Sequence, residues 1–62
     1  MEKEKLLLRV TEAADLLSLG RSKTYHMVLT GELPSVRLGR AVRVPVAKLR
    51  ELVERLAAPD EQ

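Results

Sequence analysis

Apolar residues recur at helical spacing in three stretches of this chain, and period-two alternation replaces that spacing in one. In "VTEAADLL", Val10, Ala13, Ala14 and Leu17 fall at i, i+3, i+4 and i+7, the single stripe of an amphipathic helix. Thr11 is placed to cap it, with Glu12 and Asp15 suited to the positive end of the helix dipole. "SLG" then breaks the pattern, because Gly20 disfavours helix and favours a tight turn. The second stretch, "SKTYHMVLT", repeats the spacing through Thr24, Met27, Val28 and Gly31, and Gly31 stops it. The third, "PVAKLRELVERL", carries Leu49, Leu52, Val53 and Leu56 on one side, with Pro45 in the first turn. Glu51 with Arg55, and Arg50 with Glu54, are spaced as ion pairs on its outside. This last helix reads as a lid on the core, with Leu52 or Leu56 as a surplus that could meet a partner.

Pro34 ends any helical continuation, and "VRLGRAVRV" follows, nearly a palindrome of residue types over Val36–Val44. Alternation on both sides of a glycine-containing tip predicts a hairpin. A two-residue turn at Gly39-Arg40 suits type II′ chemistry but sets Arg43 opposite Val36, mixing charge with apolar groups on each face. A three-residue loop, Gly39-Arg40-Ala41, sets Arg37 opposite Arg43 and gathers Val36, Leu38, Val42 and Val44 on one face. Burial ordinarily specifies register more strongly than turn preference, so the second geometry is expected. It makes Arg37 and Arg43 a like-charged cross-strand pair, which costs stability unless an anion lies beside them.

Composition narrows the class. Sixty-two residues suffice for one small domain, expected over 1–62 with its ordered part near 7–57 and with "MEKEK" and "APDEQ" as frayed tails. A domain this size buries only about 60% of its unfolded surface. Cysteine is absent and His26 is the lone histidine, so neither a disulfide nor a metal site is expected. No nucleophile–base pair or phosphate loop is present, which argues against an enzyme and against a cofactor. The longest apolar run, Leu6-Leu7-Leu8, is too short for a membrane span or a secretory signal, so a cytoplasmic protein without a membrane partner is expected.

Charge changes the picture more. The net +2 hides an uneven distribution: residues 18–45 hold Arg21, Lys23, Arg37, Arg40 and Arg43 against Glu32 alone. Cations concentrated there point to an anionic partner, and arginine in particular favours phosphate. On the second helix the side opposite the apolar stripe displays Ser22, His26 and Leu29, flanked by Lys23 and Thr30, with Arg21 at the entry and Tyr25 on the boundary. Helix, short turn, helix, basic hairpin and helix is the order of a winged helix-turn-helix: mainly α, three helices, with a small β-hairpin wing. In that class the second helix enters the major groove of double-stranded DNA.

The stretch "RVTEAADLLSLGRSKTYHMVLTGELPSVRLGRAVRVPVAKLRELVERL", Arg9 to Leu56, also resembles a known family. It looks like the excisionase (recombination directionality factor) family of MerR-like winged-helix DNA-binding proteins. The resemblance rests on "EAADLL", "GRSKTYHMVLTGELP" and "VRLGRAVRVP", of which the last two in sequence are specific. It implies a small protein of a phage, plasmid or integrative element. Such a protein binds attachment-site DNA cooperatively beside neighbouring copies and directs a tyrosine- or serine-type integrase toward excision. Other members regulate transcription from the same body, and that alternative stays open. By this resemblance the recognition signature falls on Arg21, Ser22, Lys23, Tyr25 and His26, and the wing signature on Arg37, Gly39, Arg40 and Arg43. Gly20 stands where a serine or threonine cap is common, Leu29 where a basic residue is frequent, and Val42 where an aromatic is frequent.

Overall fold

The computed structural model describes residues 4–58; the frayed ends expected from sequence lie mostly in 1–3 and 59–62, outside the described residues. The chain runs β1 (Leu7–Arg9), α1 (Val10–Leu17), α2 (Arg21–Thr30), β2 (Val36–Leu38), β3 (Ala41–Pro45) and α3 (Val46–Ala57). All three helices form where the apolar stripes predict them. Their inner positions are buried: Val10, Ala13 and Ala14 on α1, Thr24 and Met27 on α2, Leu49 and Leu52 on α3. Val53 and Leu56, the outer part of the third stripe, remain exposed, so the surplus on this helix is Leu56 and not Leu52. The ion pair within α3 is Lys48–Glu51 at 3.6 Å between exposed side chains, a pair worth little in water.

β1 is an element the sequence reading did not contain. It pairs antiparallel with β3, Leu8 opposite Val44 and Arg9 opposite Arg43, so the sheet has three strands in the order β1-β3-β2. Leu8 and Val44 are 5% and 0% exposed and join Val10, Met27, Leu49 and Leu52 in one core. Leu33 completes that core from the segment between α2 and β2, its N–H donating to the Met27 carbonyl at 3.0 Å.

The wing adopts the turn that burial disfavours. Val36 pairs with Arg43, Arg37 with Val42, and Leu38 with Ala41, leaving Gly39-Arg40 as a two-residue turn. The expected opposition of Arg37 and Arg43 is therefore wrong. Gly39 takes φ +63°, and Arg40 and Ala41 are not among the residues of positive φ. That is the requirement of a II′ turn, whereas a three-residue loop would force Ala41 into the left-handed region. Val36 and Leu38, expected on the core face, are 37% and 57% exposed. Burial loses because β2 is exposed along its whole length, so little core lies beneath it to enforce register.

Cap residues also differ from expectation. Thr11 lies inside α1, whose N-cap is Arg9; the Glu12 carboxylate turns back to accept the Arg9 N–H at 2.8 Å. At the other end Ser18, not Gly20, is left-handed at φ +58°, and the Leu19 N–H closes the helix on the Ala14 carbonyl at 3.0 Å. Gly20 is extended at φ −68° and ψ 159° as the N-cap of α2, with open space where a Cβ would stand. The two residues of this turn are thus interchanged relative to their preferences. Ser18→Gly should raise stability by about 0.5–1 kcal/mol by removing left-handed strain. Gly20→Ser should add a similar amount, about 0.5–1 kcal/mol, through a side-chain cap and a stiffer unfolded chain. Urea midpoints of both variants check this, and a lowered midpoint for either would show that the turn is held by other contacts.

Candidate nucleic-acid interface

α2 is fixed from below and open above. Thr24 is fully buried, and its Oγ1 donates to the Gly20 carbonyl at 2.9 Å, tying the helix to the turn that precedes it. Arg21, Ser22, Lys23, Tyr25 and His26 are all exposed. The first turn contains no acidic residue, so Arg21 and Lys23 add their charge to the positive end of the helix dipole. This is unfavourable in the free protein and favourable beside an anion. Thr30 is exposed as well, but at the other end of the helix, about 13 Å along the axis from Arg21 at 1.5 Å per residue. Its hydroxyl donates to the Met27 carbonyl at 3.2 Å, so it serves the helix terminus first.

Tyr25 stands where α2 meets the wing, half exposed at 49%. It lines two separate grooves. One, of about 420 Å³, is bounded by Tyr25, Val28 and Leu29 on α2 and by Val36, Arg37 and Val42 on the wing. The other, of about 440 Å³, is bounded by Tyr25 together with Arg40 and Arg43 of the wing and Arg9 and Thr11 of the β1–α1 junction. The two-residue turn accounts for this division. Because cross-strand partners share a face, Arg37 lies with Val42 on the side of α2, while Arg43 lies with Arg9 on the opposite side. Gly39 and Arg40 form the exposed tip. The palindrome thus distributes its three arginines over both faces and the end of the wing.

The structure therefore exposes Arg21, Ser22, Lys23, Tyr25 and His26 on α2, and of these it brings Tyr25 to the wing, where Arg37 lines one groove with it and Arg40 and Arg43 line the other; Gly39 is exposed at the tip. Arg9 is the residue that sequence reasoning missed. The sequence held no alternation to reveal it, because the exposed–buried–exposed pattern of Leu7, Leu8 and Arg9 is hidden by three leucines in a row. Among the described residues the ion pairs are Lys5–Glu12 and Lys48–Glu51, so none of the site's arginines is paired with a carboxylate. Arg43 donates from Nη1 to the Val42 carbonyl at 3.0 Å, which leaves most of its fork open.

A helix-turn-helix with an exposed second helix and a cationic antiparallel hairpin beside it defines the winged helix-turn-helix class of DNA-binding proteins. Comparison with known proteins agrees: a family model described as a helix-turn-helix domain matches residues 7–57. A protein of Saccharopolyspora erythraea named "Probable excisionase" is 48% identical over 54 residues, which is 87% of this chain and 55% of that one. A Streptomyces ambofaciens protein named "Excisionase" is 38% identical over 48 residues, 77% of either chain. A Mycobacterium tuberculosis protein whose name describes it as DNA-binding is 40% identical over 48 residues, 77% of this chain and 62% of its own length. This chain thus covers little more than half the length of the first of these relatives. No solved structure gives a significant match. The chain belongs to the excisionase family of helix-turn-helix proteins.

Glu12, one residue beyond Thr11 of the groove that Arg9 lines, ties the Arg9 N–H and Lys5 to the first turn of α1. The hydrogen bond from Lys5 is the main cause that lowers its pKa, and the bond from the Arg9 N–H adds to it. A carboxylate whose folded pKa is depressed contributes stability above its unfolded pKa and loses it as pH falls through the folded value. Wild type should therefore exceed Glu12→Gln in melting temperature at neutral pH. The gap should narrow as pH falls through and below the ordinary carboxylate range. A gap independent of pH in thermal melts would assign the role of Glu12 to shape rather than charge.

Proposed function

We propose that this chain acts as an excisionase: it binds duplex DNA at an attachment-site arm, assembles beside neighbouring copies, and directs a tyrosine- or serine-type integrase toward excision. The observation that carries the reading is the set of exposed cations without acidic neighbours in the first turn of α2, together with wing arginines that share grooves with Tyr25 of the same helix. In this reading the first turn of α2 enters the major groove. Arg21 and Lys23 suit guanine edges or phosphates, while Ser22 and His26 offer hydrogen bonds to bases that either partner of a pair could satisfy. Tyr25 lies against the backbone between helix and wing. Thr30 can donate to a phosphate only by releasing its bond to Met27, although its oxygen can still accept.

The wing contributes mainly phosphate contacts. A hairpin laid against DNA meets backbone on more than one side, which suits arginines on both of its faces. Arg40 at the tip is placed to probe the minor groove, where narrow A·T-rich stretches attract arginine. A neighbouring copy would find an apolar groove of about 460 Å³ between α1 and α3, clear of the DNA-facing residues. Leu16, Val46, Leu49 and Val53 line it, Arg50 and Glu54 flank it, and it shares no residue with the two grooves at Tyr25.

Gel-shift titration on a fragment carrying the attachment site tests the reading. Arg21→Ala or Lys23→Ala should each cost about 1–3 kcal/mol of specific binding where a base contact is lost. Thermal stability should be kept, since both side chains are exposed. Successive shifted bands should appear over a narrow concentration range, from a free protein that sediments as a 7.0 kDa monomer. Adding the protein to its cognate integrase should stimulate excision of a substrate bearing both junctions. Protection of a promoter with no effect on excision would assign the same body to transcriptional regulation instead.

A further inference from the structure

β3 is five residues long, yet β1 covers only Arg43, Val44 and Pro45 of it. At Val10 the chain leaves the sheet to begin α1, so the edge of β3 lies open at Ala41 and Val42. This opening is the 440 Å³ groove beside Tyr25. Three arginines from three places converge on it: Arg9 from β1, Arg43 from β3 and Arg40 from the turn. Thr11 and Tyr25 bring hydroxyl groups, and no carboxylate is among its lining residues. Glu12, on the neighbouring turn, is engaged by Lys5 and by the Arg9 N–H; it feels the Arg9 charge but, among the described residues, forms no ion pair with either guanidinium.

Arg9 and Arg43 are direct cross-strand partners, which places their Cβ atoms about 4.5–5.5 Å apart. Two like charges so placed repel each other. Two guanidinium forks at that spacing also match the two non-bridging oxygens of one phosphodiester, each fork donating to one oxygen. We propose that Arg9 and Arg43 jointly grip a single backbone phosphate of duplex DNA, with the Thr11 hydroxyl as a neutral donor beside them. The β1–α1 junction is then a third DNA contact, outside both the recognition helix and the wing tip. This assignment rests on the DNA-binding reading above. The contact carries no base information. It fixes the position of α1 on the backbone, and so sets the angle at which α2 meets the groove.

Salt titrations of binding to a duplex of unrelated sequence test this, because a phosphate contact does not require the correct site. Arg9→Gln and Arg43→Gln should each lower affinity about tenfold, as for a hydrogen bond to a charged group. The double variant should lose less than the product of the two, since both act on one phosphate. Its slope of log affinity against log salt should fall by about 0.9, the amount for one phosphate. Melting temperature should hold or rise in all three, because repulsion is relieved. Wild-type affinity in Arg9→Gln would overturn the proposal, as would fully multiplicative losses with a slope change of about 1.8, the mark of two separate phosphates. A lowered melting temperature with an unchanged slope would make the pair structural and overturn it equally. Failure of the DNA-binding reading itself looks different: wild type would then show no salt-dependent binding to any duplex.

Discussion

The antiparallel pairing of β1 with β3 is the constraint from which the rest of this small structure follows. It consists of three residues on either side, with Leu8 opposite Val44 at its centre and both side chains buried. Beyond it the Val46 N–H reaches back to the Leu6 carbonyl at 2.9 Å, at the start of α3. One short ladder thus fixes the entry of α1, the base of the wing and the beginning of α3. In a domain of this size, whose core is necessarily thin, few other contacts join elements so far apart in sequence. A slip of one residue would turn Leu8 to solvent and Arg9 into the core, so the register of the ladder is strongly held. The register that buries Leu8 is also the one that sets Arg9 against Arg43.

Away from this anchor the wing obeys a different rule. Over Val44 the sheet has α1 and α3 to pack against, and burial decides which residue faces inward. Over β2 it has much less, and the backbone preference of Gly39 decides. The consequence is chemical. A three-residue loop would have collected Arg37 and Arg43 on one exposed face above an apolar one. The two-residue turn exposes apolar surface at Val36 and Leu38 but places cationic groups on both sides of the hairpin. An apolar cost in the free protein is exchanged for charge wherever a polyanion could approach.

Sequence alone carried the helices well because each holds a stripe of period 3.6 with a clear stop, and α1 begins and ends where its stripe does. It carried the exposed side of α2 for the same reason: once Thr24 and Met27 are inside, Ser22 and His26 must be outside. What it did not carry depends on contacts between distant residues. β1 has no alternation visible within "LLL", and its partner lies more than thirty residues away. Leu33 belongs to no periodic run and is buried by the chain reversal after Gly31. The wing register departs from its apolar pattern because β2 covers too little core for that pattern to act on. Arg9 was missed as a site residue for the same cause as β1, since only the strand pairing gives it a cationic neighbour.

These local misfits share a sign. Arg21 and Lys23 stand at the positive end of the α2 dipole with no acid in that turn. Arg9 and Arg43 face each other, and Arg40 joins them at the same groove. Each arrangement sets positive charge against positive charge, and each would be eased by an anion placed beside it. A ligand that binds only the folded state stabilises it by mass action. Here part of that stabilisation would come from repulsion removed rather than contacts added. The body of the protein supports this concentration of charge through a core that is entirely apolar apart from Thr24, whose hydroxyl is satisfied by the turn before α2. Among the described residues the core carries no unpaired polar group, so the like charges crowd the surface and not the interior. Three of these cations, Arg9, Arg40 and Arg43, meet at one groove beside Tyr25, and Arg21 and Lys23 stand on the helix that carries it.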